Sequence, residues 1–219
     1  MALDEIVTVR LAVGSAGTLW DAVAAVGRRL TGAVRVVVFR GEGPDFFDET
    51  GSMAASASHR AGPPAPGAVS WLRRPDLVTV AVIAGRATGA GLDVALACDI
   101  RVAADDAELA VPTGADPGFG LDLPTVAVLR EVVGAARALE IALTGRRISG
   151  REAAAIGLVS LAVPGDRLDS VVDELVAAVL RRPRAVATQA KALLAASDAD
   201  HRSRTDDFVA AVQLAAGEN

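Results

Sequence analysis

The chain has 219 residues, 52% of them hydrophobic, and a formal charge of −5, which suits one large domain, or one with a small appendage, and a sizeable core. A lone cysteine, Cys98, excludes an internal disulfide and a cysteine-built zinc knot, and no metal site is expected. Acids and bases are interspersed rather than gathered into a nucleic-acid groove, and no apolar run approaches the roughly 18–20 residues of a membrane span.

Met1-Ala2-Leu3-Asp4-Glu5 lacks the basic start and apolar stretch of a signal peptide, so a cytoplasmic protein without membrane or nucleic-acid partners is expected. Residues 6–11 have strand character, and residues 34–39 read as a buried strand from their β-branched density. Between them, residues 18–30 form a predicted helix with Leu19, Ala22, Val23, Val26 and Leu30 on one face. A Gly-, Pro-, Ser- and Ala-rich loop follows from about Gly41 to Gly67, longer than an ordinary connection. Residues 77–83 are another buried strand, feeding a glycine-broken turn and a short helix through residues 92–97. Short strands are expected at 99–103 and 108–111, and beyond Pro124 the pattern turns helical almost throughout. Ser149-Gly150-Arg151-Glu152 is a capping box, with Gly145 and Gly157 as helix stops on either side. Two last helices, 168–180 and 183–196, separate charge from Ala, Val and Leu. The fold class is therefore α/β, a mixed core followed by a helical tail.

The turn Ala84-Gly85-Arg86-Ala87-Thr88-Gly89-Ala90-Gly91-Leu92-Asp93 carries most of the chemistry. A strand that leads straight into a helix aims backbone N–H groups and the positive end of the dipole at one spot. Small residues at 89–91 admit a ligand atom close to the backbone, where an enolate or thioester oxyanion could be stabilised. Position 94 is Val, so this is no dinucleotide fingerprint, and the same glycines also read simply as a tight turn.

The run from Val82 to Ile100 resembles V-N-G-x-A-x-G-G-G-x-E/D-L-A-x-x-C-D-I of the enoyl-CoA hydratase/isomerase (crotonase) superfamily. Leu143 to Val159 is similar to that family's L-T-G-x-x-I-S-A-x-E-A-x-x-x-G-L-V, and the likeness covers roughly residues 33–195. The resemblance implies a spiral of ββα units over residues 1–163 and a helical region at 164–219 that drives assembly into a homotrimer or dimer of trimers. It implies an acyl-CoA thioester as ligand, with coenzyme A part of the substrate and no separate cofactor.

It also assigns roles. One oxyanion-hole amide would be that of Ala90, flanked by Gly89 and Gly91. The other falls in Phe47-Asp48-Glu49-Thr50-Gly51-Ser52-Met53, which resembles F-S-A-G-x-D-L. Aligned on Phe47 the donor is Glu49; aligned on Gly51 it is Thr50, and Thr50 and Gly51 would line the substrate. Of the two glutamates that hold a water in the family's hydratases, the first matches Asp93, one methylene shorter, and the second matches Thr113, which supplies no carboxylate. Water addition by that route is not expected. Gly120-Leu121-Asp122-Leu123-Pro124-Thr125 resembles a segment whose aspartate moves protons in the isomerase branches, so Asp122 joins Asp93 as a candidate catalytic acid. Both have plain structural readings: Asp122 as the cap of a helix beginning near Pro124, Asp93 as an acid in a helix's first turn.

Other candidates carry less. His59 and His201 lack a nucleophile partner, and without G-x-S-x-G a hydrolase reading fails. Cys98 ends an apolar helix and reads as core. Arg181-Arg182-Pro183-Arg184 could meet CoA phosphates or form a solvated face, Phe46 and Phe47 could flank the pantetheine arm or pack in the core, and Lys191 matches a family lysine of no evident role. The expected activity is isomerase-like chemistry on a thioester enolate; the alternative is a non-catalytic acyl-CoA-binding protein of the same fold.

Overall fold

The computed structural model describes residues 5–12, 16–47, 69–111 and 123–195. In chain order the elements are β1 (Ile6–Leu11), α1 (Ala16–Arg29), β2 (Val36–Gly41), β3 (Val78–Ile83), β4 (Arg86–Thr88), α2 (Ala90–Ala97), β5 (Ile100–Ala104) and β6 (Glu108–Ala110). Then come α3 (Leu123–Val133), α4 (Ala135–Thr144), β7 (Ile148–Ser149), α5 (Gly150–Ala155), β8 (Leu161–Val163), α6 (Leu168–Leu180) and α7 (184–195). Short 3-10 turns at Ser70–Arg73 and Gly165–Arg167 precede β3 and α6.

Five strands form a parallel sheet in the order β1-β2-β3-β5-β8, and three form a second sheet, β4-β6-β7. Successive stretches of chain lay one strand in each: β3 then β4, β5 then β6, β7 then β8. A parallel bridge between Phe47 and Ala87 gives β2 its own counterpart beside β4. This is the spiral of ββα units that the motifs imply, with α2 following β4. All six residues of β3 are buried, because a parallel strand covered on both faces has no solvent side; five are apolar, and the sixth, Thr79, gives its hydroxyl to Asp99. Leu168, Val172 and Val176, spaced four apart, bury one face of α6 in the same core.

Sequence and structure differ in instructive places. On α1 the buried stripe holds Leu19, Val23 and Ala24, while Ala22 is exposed. Trp71 turns the helix that way: its indole donates to the Val23 carbonyl at 3.1 Å, and a Cβ on Gly27 would lie 2.2 Å from its Cδ1. The strand expected from residue 99 begins at Ile100, since the Asp99 backbone N–H donates to Thr79 Oγ1 at 2.9 Å instead of to a neighbouring strand's carbonyl. Strands β4, β7 and β8 stand where a turn or helices were expected; with two or three residues each, they carry no readable period. Half of the capping box forms: Ser149 Oγ accepts from the Glu152 amide at 3.2 Å, while the Glu152 carboxylate turns to Arg146 at 2.8 Å. Gly145 ends α4 in the left-handed conformation, as its position suggests.

Candidate functional site: the start of α2

The 3 residues of β4 separate two turns, and the segment ending in Phe47 is locked between them. Asp45 begins the lock. Its Oδ1 accepts from the Arg86 amide at 2.8 Å, and its Oδ2 pairs with the Arg86 guanidinium at 3.2 Å. Phe47 then exchanges two backbone bonds of 3.0 Å with this strand, donating to the Arg86 carbonyl and accepting from the Thr88 amide. Its ring is buried, as is that of Phe46, so both pack in the core rather than along an open groove.

Gly89 takes φ 53° and ψ −128°, a conformation that L side chains rarely adopt, and turns β4 directly into α2. Gly91 is required for a different reason. A Cβ there would lie 2.6 Å from Phe47 Cβ and 2.8 Å from its carbonyl oxygen, so only hydrogen lets Phe47 seat on the helix. Ala90 is the first residue of α2, at the positive end of its dipole, and Leu92, Val94 and Ala95 anchor the helix in the core. The chain entering residues 48–51 thus leaves Phe47 directly from contact with the first turn of α2.

Asp93 occupies that same first turn, half-buried, and its Oδ1 accepts a 2.6 Å hydrogen bond from Thr125 Oγ1. Thr125 stands near the start of α3, three residues along the chain from Asp122. The structure therefore brings together Gly89, Ala90, Gly91, Asp93 and the start of α3. Thr125 was not singled out from sequence; the available signal was its place in the segment that also contains Asp122. Glu49, Thr50, Gly51, His59, Thr113, Asp122 and His201 lie outside the described residues.

Comparison with known proteins decides the kinship. The family model described as "Enoyl-CoA hydratase/isomerase" matches residues 18–214. The chain belongs to the enoyl-CoA hydratase/isomerase family. A Thermobifida fusca protein named as a candidate enoyl-CoA hydratase, solved in complex with acetoacetyl-CoA, superposes with a TM-score of 0.74 at 33% identity, over 98% of this chain and 93% of that one. A monofunctional enoyl-CoA isomerase from M. smegmatis gives 0.70 at 27%, with 88% of each chain covered. A Bacillus subtilis protein named as a probable enoyl-CoA hydratase is 46% identical over 85 residues, 37% of this chain and 31% of its own length. An Arabidopsis thaliana peroxisomal dienoyl-CoA isomerase is 42% identical over 93 residues, 42% of this chain and 32% of its own. The chain thus covers less than a third of the length of either curated relative.

Among the remaining candidates, Cys98, Arg184 and Lys191 have structural partners or surroundings. Cys98 is fully buried, and burial above all pushes its thiol up to about 12. Such a thiol is inert. Arg184 is not poised for a phosphate: its guanidinium donates to the carbonyls of Gly32 at 2.6 Å, Ala33 at 3.0 Å and Val34 at 2.7 Å. Arg181 and Arg182 are exposed. Lys191 gains a definite role, donating from Nζ to Asp99 Oδ2 and to the Leu77 carbonyl, each at 2.8 Å, so that α7 is pinned to the sheet. Asp99 in turn holds the Thr79 amide at 2.8 Å and hydroxyl at 2.9 Å. Among the described residues no group of three or more His, Cys, Asp or Glu side chains could hold a metal ion, and no helix is long and apolar enough to cross a membrane.

Proposed function

We propose that this chain binds an acyl-CoA thioester and stabilises its enolate, moving a proton between carbons rather than adding water. The observation that carries the reading is the seating of Phe47 on Gly91, which joins the segment entering residues 48–51 to the helix start that holds Ala90. One thioester oxygen would accept from the Ala90 amide and from a second amide, that of Glu49 or Thr50, with Thr50, Gly51, Gly89, Gly91 and Thr113 around the acyl group. Donors fixed in advance where negative charge develops favour the enolate over the ground-state thioester, and losing one such donor costs about 10²–10³ in rate.

With the carbonyl polarised, a carboxylate removes the α-proton and returns it to another carbon. Asp93 is half-buried in the first turn of the same helix, and Asp122 precedes the helix whose Thr125 bonds Asp93. Thr113 at the second glutamate position withholds the carboxylate that water addition would need. The relatives named above support the ligand class, since one was solved with acetoacetyl-CoA and others are named as isomerases. The same reading makes the chain a homotrimer or dimer of trimers, and exposed Val186, Leu193 and Leu194 on α7 with Leu139 and Leu143 on α4 offer apolar surface for such contacts.

The test is exchange of α-protons of butyryl-CoA and β,γ-hexenoyl-CoA into deuterated water, with binding followed by thermal shift. Binding with exchange that Asp93→Asn or Asp122→Asn abolishes supports the reading. Binding without exchange on either thioester turns the assignment to the non-catalytic acyl-CoA-binding protein. Absence of binding removes both.

A further inference from the structure

We infer that Thr125 is a positioning residue for Asp93, holding its carboxylate in one orientation. The contact joins two helices: Thr125 Oγ1 on α3 donates to Asp93 Oδ1 on α2 at 2.6 Å, across 32 residues of sequence. That separation falls in the range of an O–H donor on a carboxylate, the stronger class of hydrogen bond.

The hydroxyl is held still from behind. Thr125 is β-branched, which restricts its first side-chain torsion in a helix to two choices. One turn and two turns further along the same face of α3 stand Leu129 and Val133, both buried, with exposures of 0% and 7%. Core packing therefore sets where α3 lies, α3 sets where the hydroxyl points, and the hydroxyl holds Oδ1 of the carboxylate. Asp93 needs such a guide more than a glutamate in its place would: a side chain one methylene shorter has less reach, so its angle to the α-carbon of a bound thioester decides whether a proton can pass.

The inference rests on the proposed reading of Asp93 as the base. Its test compares α-proton exchange of β,γ-hexenoyl-CoA in the unsubstituted protein, Thr125→Val and Thr125→Ser. Valine keeps the shape and removes the donor; serine keeps the donor and loses a methyl. We expect kcat to fall about tenfold to a hundredfold in Thr125→Val, as a lost hydrogen bond to a charged group implies. KM should stay within about threefold, because uniform binding is untouched, and Thr125→Ser should restore most of kcat. A purely structural role would not give a rescue confined to kcat. Should Thr125→Val not fold, Thr125→Ala is judged by the same comparison. If the unsubstituted protein exchanges protons and Thr125→Val keeps its kcat, the positioning role is overturned while the site assignment stands. If serine fails to rescue, the hydroxyl is not the agent and the inference is again overturned. If the unsubstituted protein exchanges nothing, the site assignment falls and takes this role with it.

Discussion

Replacing Gly91 with alanine puts the smallest possible obstruction at the joint on which the site depends. The new Cβ would sit 2.6 Å from Phe47 Cβ, 2.8 Å from its carbonyl oxygen and 3.2 Å from Cδ1. Carbon atoms pack best at about 3.5–4.0 Å, so relief demands a movement of roughly 1 Å. Phe47 cannot yield cheaply, being 2% exposed and tied to Arg86 and Thr88 by two bonds of 3.0 Å. Overpacking of this kind costs about 1–3 kcal/mol. Alanine's better helix propensity offsets about 1 kcal/mol at most. A net loss of ~1–2 kcal/mol should appear as a lower urea midpoint and a melting temperature reduced by ~2–8 °C for a chain of this size. The effect on function should be larger than the effect on stability. A displacement of roughly 1 Å at a reacting centre can cost about 100-fold in rate, so on the proposed function proton exchange on acyl-CoA should fall by about that factor while the protein remains folded. Gly32→Ala is the control, because nothing lies within 4 Å of a Cβ placed there. A Gly91→Ala protein with unchanged urea midpoint and undiminished exchange would refute the packing argument and the role given to this joint.

Three further outcomes follow from the contacts. Asp45→Ala removes acceptors from the Arg86 amide and guanidinium, at a site partly open to water; unfolding in urea should show a loss of ~1–2 kcal/mol, and an unchanged midpoint would count against the lock it forms. Lys191→Met keeps the aliphatic stem but frees α7 from Asp99 and the Leu77 carbonyl, so amide hydrogen exchange across residues 184–195 should quicken, and unchanged protection would show that the pin is idle. Cys98 in the folded protein is pushed up from its ordinary 9.0 to about 12, so the unfolded chain gives up its proton first as the pH climbs. Stability relative to Cys98→Ala is then complete below pH 9 and declines toward pH 12, by up to about 1.4 kcal/mol per pH unit. Matched urea titrations read the difference, and parallel curves would contradict it.

How far the sequence could be read depended on whether a residue's job is local. The buried strands β2 and β3 announced themselves because parallel strands covered on both faces are dense in apolar, β-branched residues, here Val36 to Phe39 and all of β3 except Thr79. Helix α6 matches its expected span of 168–180, since one apolar face repeating through 13 residues leaves little choice. The glycine turn was legible for the same local reason: only φ near 53° at Gly89 lets a strand run into a helix there. Contacts between distant segments were not. Nothing near Gly91 in the sequence says that Phe47 will lie on it, nothing around Lys191 points to Asp99, and Thr125 meets Asp93 only because α2 and α3 pack together. Short strands escaped for a related reason, as β7 and β8 exist only through their partners β6 and β5.

That division bears on how chemistry can change within such a fold. On the proposed reading, the features around Ala90 that would serve an oxyanion are backbone features: a left-handed Gly89, a bare Gly91, a helix dipole and a neighbouring segment locked by Asp45. They survive any substitution that leaves the glycines and the packing intact. Carboxylates, by contrast, are single side chains, and by its resemblance to the family this chain carries the shorter Asp93 at one glutamate position and Thr113 at the other. On that reading, polarisation of a thioester rests on the backbone, and the side chains placed around it decide what becomes of the enolate. On the proposed reading, a carboxylate steered by Thr125 is enough for a proton to leave one carbon and arrive at another, whereas adding water would require a second acid that position 113 does not supply.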